Sequence, residues 1–165
     1  MTPQPEIPPP SRLQRWIIQP LRRQLAQGTT PQKLAWSISL GAILGTFPIM
    51  GTTTALCLLI AHIFKLNQPV AHLFNNITYP LHLPLILVFI TLGQHLHGIE
   101  PTPLSIPQLI ADFRHSPAQF AQDFGTIALH AVQAWAITAL LFIPIAYYTS
   151  LPLLRKLLRK LNQAP

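Results

Sequence analysis

The sequence predicts an all-α, polytopic integral membrane protein: a broken helical hairpin, then two transmembrane crossings, with basic amphipathic helices at both ends. Three observations lead there. No Asp, Glu, Lys or Arg occurs from Leu34 to Phe64, from Leu66 to Ile99 or from Phe124 to Leu154, and each run exceeds the roughly 20 apolar residues that cross a bilayer core. Half of the 165 residues are hydrophobic and 9% are charged, where a soluble domain carries about 25%. The basic residues behind the net charge of +7 cluster beside the apolar runs.

That placement is the pattern of contact with anionic lipid headgroups and argues against nucleic acid as a partner. The length fits one small domain, too short for a membrane domain plus a separate soluble enzyme. The single Cys57 forms no internal disulfide and no cysteine-based metal framework.

Residues 1–11 hold Pro3, Pro5, Pro8, Pro9 and Pro10. They read as a disordered or polyproline tail and lack the apolar core of a cleavable signal peptide. Residues 12–27 read as an interfacial helix. Leu13, Ile17, Leu21 and Leu25 form one stripe, Arg12, Arg15, Arg22 and Arg23 lie mostly away from it, Trp16 suits the headgroup region and Pro20 should kink it. Gly28 ends this helix, and Thr30-Pro31 caps and opens the next.

The membrane domain is expected over 30–154. As one helix, 34–64 would be about 46 Å long, too long for one crossing. Thr46-Phe47-Pro48-Ile49-Met50-Gly51 is built to break it. The reading is two short helices, about 34–46 and 52–64, forming a re-entrant or shallow hairpin; the competing arrangement is one tilted span. In 66–97, a short helix over 70–76 is followed by a turn at Ile77-Thr78-Tyr79-Pro80 and a crossing from Leu81 to His97. Residues 98–123 read as an external loop with amphipathic character, in which Leu109, Ile110 and Phe113 share a face and Ser116-Pro117 caps a further helix that leads into the second crossing, 124–154. Residues 155–165 close the chain as a basic amphipathic helix, with Leu154, Leu157, Leu158 and Leu161 opposite Arg155, Lys156, Arg159 and Lys160.

The flanks set an expected orientation. Residues 12–33 carry five positive charges and no acid, and 155–160 carry four. The loop from Glu100 to Asp123 holds three acids and only Arg114. The positive-inside rule then places both termini in the cytoplasm of a bacterial inner membrane and the loop outside.

Gly41 and Gly45 form a GxxxG step, readable as a dimer face or as close packing within the chain. The two interrupted segments offer a candidate polar site: Pro48, Gly51, Thr52, Thr53, Asn75, Asn76, Thr78, Tyr79 and Pro80. Paired broken helices often meet at a transport site, although such polar groups equally satisfy freed backbone. The seven histidines are scattered and read as neutral hydrogen-bonding groups between helices. His95 and His97 point to different faces of a helix, which disfavours a shared metal. All four acids lie outside the apolar runs, and no nucleophile–base pair or phosphate loop is visible. No catalytic residue, cofactor or metal is expected.

Taken together, Thr30-Pro31, Gly41 and Gly45, Pro48 and Gly51, Leu66-Asn67, Asn75 through Tyr79-Pro80-Leu81, Gly93, Pro103-Leu104-Ser105 and the run His130-Ala131-Val132 to Ala134-Trp135 resemble the bacterial membrane family called domain of unknown function 2062. The resemblance covers about residues 30–155. Thr53 stands where many relatives have glutamine, and Asn76 where many have proline. The resemblance implies a membrane protein and no particular activity. The expected role is a non-catalytic structural or partner-binding module, with lipid and another membrane protein or a second copy as partners. The alternatives are an oligomeric transporter or channel component and, less favoured, a histidine-dependent enzyme acting on a lipid-linked substrate.

Overall fold

The computed structural model describes residues 14–100 and 106–162. The expected Pro-rich tail, Arg12, Leu13 and Pro103-Leu104-Ser105 lie outside the described residues, as do the side chains of Leu109, Lys160 and Leu161. All regular structure among the described residues is helical. One π-helical turn, Gln14–Ile18, leads into α1 (Gln19–Ala26), followed by α2 (Pro31–Leu44), α3 (Thr53–Ile63), α4 (Gln68–Leu96), α5 (Ile106–His115) and α6 (Pro117–Asn162).

The boundaries follow local chemistry. The irregularity at Pro20 takes the form of the wide turn just before it, with Pro20 in the first turn of α1. Gly28, at φ +84, lets Thr29 N–H reach the Gln24 carbonyl and closes α1. The Thr30 hydroxyl accepts from Lys33 N–H at 3.3 Å and Pro31 opens α2. Asn67 does the same for α4, its side-chain oxygen accepting from Val70 N–H at 3.1 Å.

The helix break expected near Pro48 is present between α2 and α3. The second expected break is absent: α4 runs unbroken for 29 residues, with Pro80 and Pro84 inside it. Both prolines are exposed on one face, while Val70, Ala71, Asn75, His82, Phe89, Ile90 and Gly93 are buried on the other. Packing along the buried face holds the helix through the missing hydrogen bonds, which in isolation would cost about 3 kcal/mol each. A second correction concerns 98–123 and the tail. The segment expected as an external loop contains α5, with α6 starting at Pro117 where a capped helix was expected, and the expected basic tail helix is no separate element: α6 continues for 46 residues, through Pro144 and Pro152, into it.

Three helices make the core. α2 and α4 run parallel with a constant offset of 30 residues. Asn67 N–H donates to Ser37 Oγ at 2.9 Å, Gly41 faces the Ala71 backbone, and Gly45 faces Asn75 and Thr78. α3 carries the chain from the end of α2 to Asn67, which lies beside Ser37 in the first half of α2. α6 runs antiparallel to both. Gly93 of α4 lets it approach the backbone at His130 and Ala131, Trp135 meets the end of α2, and Leu151 and Leu154 pack with Leu34, Ala35 and Val70.

α1 closes that last end. Leu21 and Leu25 are buried in the same cluster and Ile17 packs beside them, so the stripe expected to face lipid faces the bundle. Trp16, Arg15, Arg22 and Arg23 are exposed.

α4 and α6 are each long and apolar enough to cross a membrane. Only 22% and 17% of their most apolar 18-residue windows are buried. The outward faces carry Leu58, Leu59 and Ile63 on α3, Leu83, Leu87 and Val88 on α4, and Ile137, Leu140 and Leu141 on α6, all exposed. A folded soluble monomer rarely leaves so much contiguous apolar surface bare.

Candidate functional site at the helix break

The end of α2 sits at about the midpoint of α4, and at the break the backbone leaves its helical ladder beside both α4 and α6. The last carbonyls of a helix have no intrahelical partner and carry the negative end of its dipole. Here local turns take some of them: Gly45 N–H donates to Gly41, Thr46 N–H to Ile43 and Phe47 N–H to Leu44. The Thr46 hydroxyl adds a 2.7 Å bond to the Ile43 carbonyl.

The other helices add donors at Ile43 and at Phe47, just beyond the helix end. His82 of α4, 3% exposed, lies with Nε2 2.9 Å from the Phe47 carbonyl. A carbonyl only accepts, so Nε2 carries the hydrogen. Trp135 of α6 points its indole N–H at the Ile43 carbonyl (3.4 Å) and at Thr46 Oγ1 (3.3 Å), and its ring meets Phe47 edge-on at 4.9 Å. Three helices thus converge on one turn.

Among the nine residues of the predicted polar site, Pro48, Thr53 and Asn75 are buried and Thr78 is half-buried. The Thr78 hydroxyl bonds the carbonyls of Phe74 and Asn75 at 3.2 and 2.9 Å. Gly51 holds φ +79, a value only glycine adopts without strain, and turns the chain toward α3. Thr52 is exposed and its hydroxyl bonds Ile49 locally at 2.9 Å. Asn76 and Pro80 are exposed, and Tyr79, also exposed, sets its ring edge-on to His82 at 5.7 Å. Gly41 and Gly45 are buried against α4.

Two buried side-chain nitrogens lack a hydrogen-bond partner among the described residues, His130 Nδ1 on α6 and, at the break, Asn75 Nδ2. Asn75 is 1% exposed. An unpaired buried donor is costly.

The residues that the sequence reading did not gather are Thr46, His82 and Trp135. Each was visible as a polar residue in an apolar run, and only the fold shows them sharing a turn. A second histidine pair joins α4 to α6 higher up. The His97 and His130 rings stack at 3.8 Å, and His97 Nε2 donates to Gln133 Oε1 at 2.6 Å. Among the described residues no three of His, Cys, Asp and Glu gather as a metal site would require.

Replacing His82 with Leu strands the Phe47 carbonyl in an apolar setting. The expected loss is about 1–3 kcal/mol, read as a lowered midpoint of thermal unfolding in detergent. His62→Leu, at an exposed position on α3, should stay within about 0.5 kcal/mol. Equal midpoints for the two variants would remove His82 from the turn's support.

A family description, "Uncharacterized protein conserved in bacteria (DUF2062)", matches residues 14–162. No curated protein and no solved structure matches the chain.

Proposed function

The chain belongs to the DUF2062 family of bacterial proteins, and from that premise we propose a non-catalytic module of the bacterial cytoplasmic membrane that serves structure or binds a protein partner. α4 and α6 cross the bilayer, and the α2–α3 hairpin enters it from the cytoplasmic side and returns. The distribution of charge supports this orientation. Arg15, Arg22, Arg23, Lys33, Lys65, Arg155, Lys156 and Arg159 gather at the end closed by α1, while Glu100 and Asp123 belong to the opposite end. The first set suits contact with anionic headgroups on the cytoplasmic leaflet.

The observation that carries the choice of role is the closure of the helix break by His82 and Trp135. Core helices donate to the Ile43 and Phe47 carbonyls, which supports a turn packed against protein rather than one kept open for a solute. Gly41 and Gly45 are covered by α4, so a protein partner or second copy docks elsewhere on the apolar exterior.

The unpartnered Asn75 Nδ2 favours the second reading, a transporter or channel component with a polar site near the break. Cysteine accessibility separates the two. With Cys57 changed to Ser, single cysteines replace Met50, Lys65 or Glu100, and a membrane-impermeant thiol reagent is applied to intact cells and to inverted vesicles. The module predicts an inert position 50, labelling of position 65 only in inverted vesicles and of position 100 only in cells. A reactive position 50 that a small solute protects would establish transport instead.

A further inference from the structure

Two clefts adjoin along the first part of α6, one at the α5–α6 junction and one against α4 and the tip of the hairpin. The one nearer the start of α6 is lined by His115, Ser116, Gln119 and Asp123, with a volume of about 250 Å³. The one nearer the hairpin is apolar, formed by Ile49, Met50, Ile86, Ile90 and Ala128, with a volume of about 360 Å³. Phe120 also walls the first cleft, and Phe124 and Ile127 line both, so the two adjoin as one largely apolar groove whose polar groups stand only at the α6 start. The second cleft alone, and the two taken together, fall in the range of small-molecule sites, about 300–1,000 Å³.

We propose that this groove holds a single phospholipid with an amine headgroup, its ammonium at Asp123 and one acyl chain running toward Met50. The proposal rests on the membrane placement given above. Along α6 from Ser116 to Ala131 the groove covers about 22 Å, which suits a headgroup plus one leaflet of a hydrocarbon core of about 30 Å. The polar end lies toward the proposed outer surface and the apolar end toward mid-depth, the order in which a lipid presents its parts.

Charge selects the headgroup. Asp123 is the acid that lines the polar cleft. Its Oδ1 accepts from Gln119 Nε2 at 3.0 Å, which orients the carboxylate and leaves Oδ2 to receive an ammonium. The His115 ring and the Ser116 hydroxyl stand beside it as hydrogen-bonding groups for the phosphodiester. A glycerol headgroup brings net negative charge against Asp123 and gains nothing there.

The test is lipid retention by the full chain purified in mild detergent, measured by native mass spectrometry. The probes are palmitoyl-oleoyl phosphatidylethanolamine and its phosphatidylglycerol counterpart. The ethanolamine lipid should be retained about tenfold over the glycerol lipid, the size of one charge-assisted hydrogen bond. Asp123→Asn, at an exposed position, should bring the ratio to near parity. Ala128→Trp should fill the apolar half and remove retention of both, with unfolding midpoints confirming that the variant is folded. Equal retention of the two lipids by the unaltered chain, or a preference that survives Asp123→Asn, would overturn the site. An alkaline carbonate wash of membranes keeps the two failures apart. Release of the chain sinks the membrane reading, whereas a chain that stays embedded yet shows no preference sinks only the lipid site.

Discussion

Gly41→Ala should cost about 3 kcal/mol or more, at the upper end of what overpacking a core does. A methyl group at this position would collide with the Ala71 carbonyl, which is backbone and cannot swing aside. The clash pries α2 from α4 along the line where Ser37, Gly41 and Gly45 lie on Asn67, Ala71 and Asn75. Against a total stability of about 5–15 kcal/mol, that loss should lower the unfolding midpoint in detergent by many degrees. Gly125→Ala provides the control. Its added methyl meets nothing within 4 Å, and alanine is the better helix former by up to about 1 kcal/mol. That variant should be as stable as the parent or slightly more so. Similar losses at both positions would mean that glycine flexibility, not close approach, explains Gly41. The same geometry makes Gly41→Leu a poor probe of oligomerisation, since it would break the fold before it could report on an interface. Leu59 on the outer face of α3 is the better place to look.

Trp135→Ala should be as damaging, about 3–5 kcal/mol for loss of a large core aromatic. Trp135 packs against two of the three apolar clusters, one built on Leu44, Cys57 and Ala61 and one on Phe89, Ile90 and Ala131. It also donates to the end of α2. Trp135→Phe separates these contributions by keeping a ring and removing the donor, and should cost about 1–2 kcal/mol. If phenylalanine were as harmful as alanine, the hydrogen bond would dominate; if it were silent, the Ile43 carbonyl would be satisfied by Thr46 alone.

The sequence made the α2–α3 break legible because a proline, a glycine and a run of threonines speak locally. The caps at Thr30 and Asn67 follow the same short-range rules. Pro80 misled for the same reason: its local effect is to end a helix, and packing by residues on the opposite face overrides it. Nothing local says that the leucines of α1 meet Leu151 and Leu154, so a stripe that resembles a lipid-facing one turns out to face protein. His82 and Trp135 lie 35 and 92 positions from the carbonyls they serve. Polar character alone marked them, and only the parallel run of α2 and α4 with α6 laid across them explains their convergence.

The span of 92 positions between Ile43 and Trp135 is also an interval of time. A ribosome adding about 5–20 residues per second needs roughly 5–20 s to reach the tryptophan after the carbonyl has emerged. Throughout that wait the nascent hairpin carries a turn whose final donor has not been made. His82 arrives first and Trp135 last, so the hairpin is sealed in two stages, and a chain released early would keep the turn half-closed.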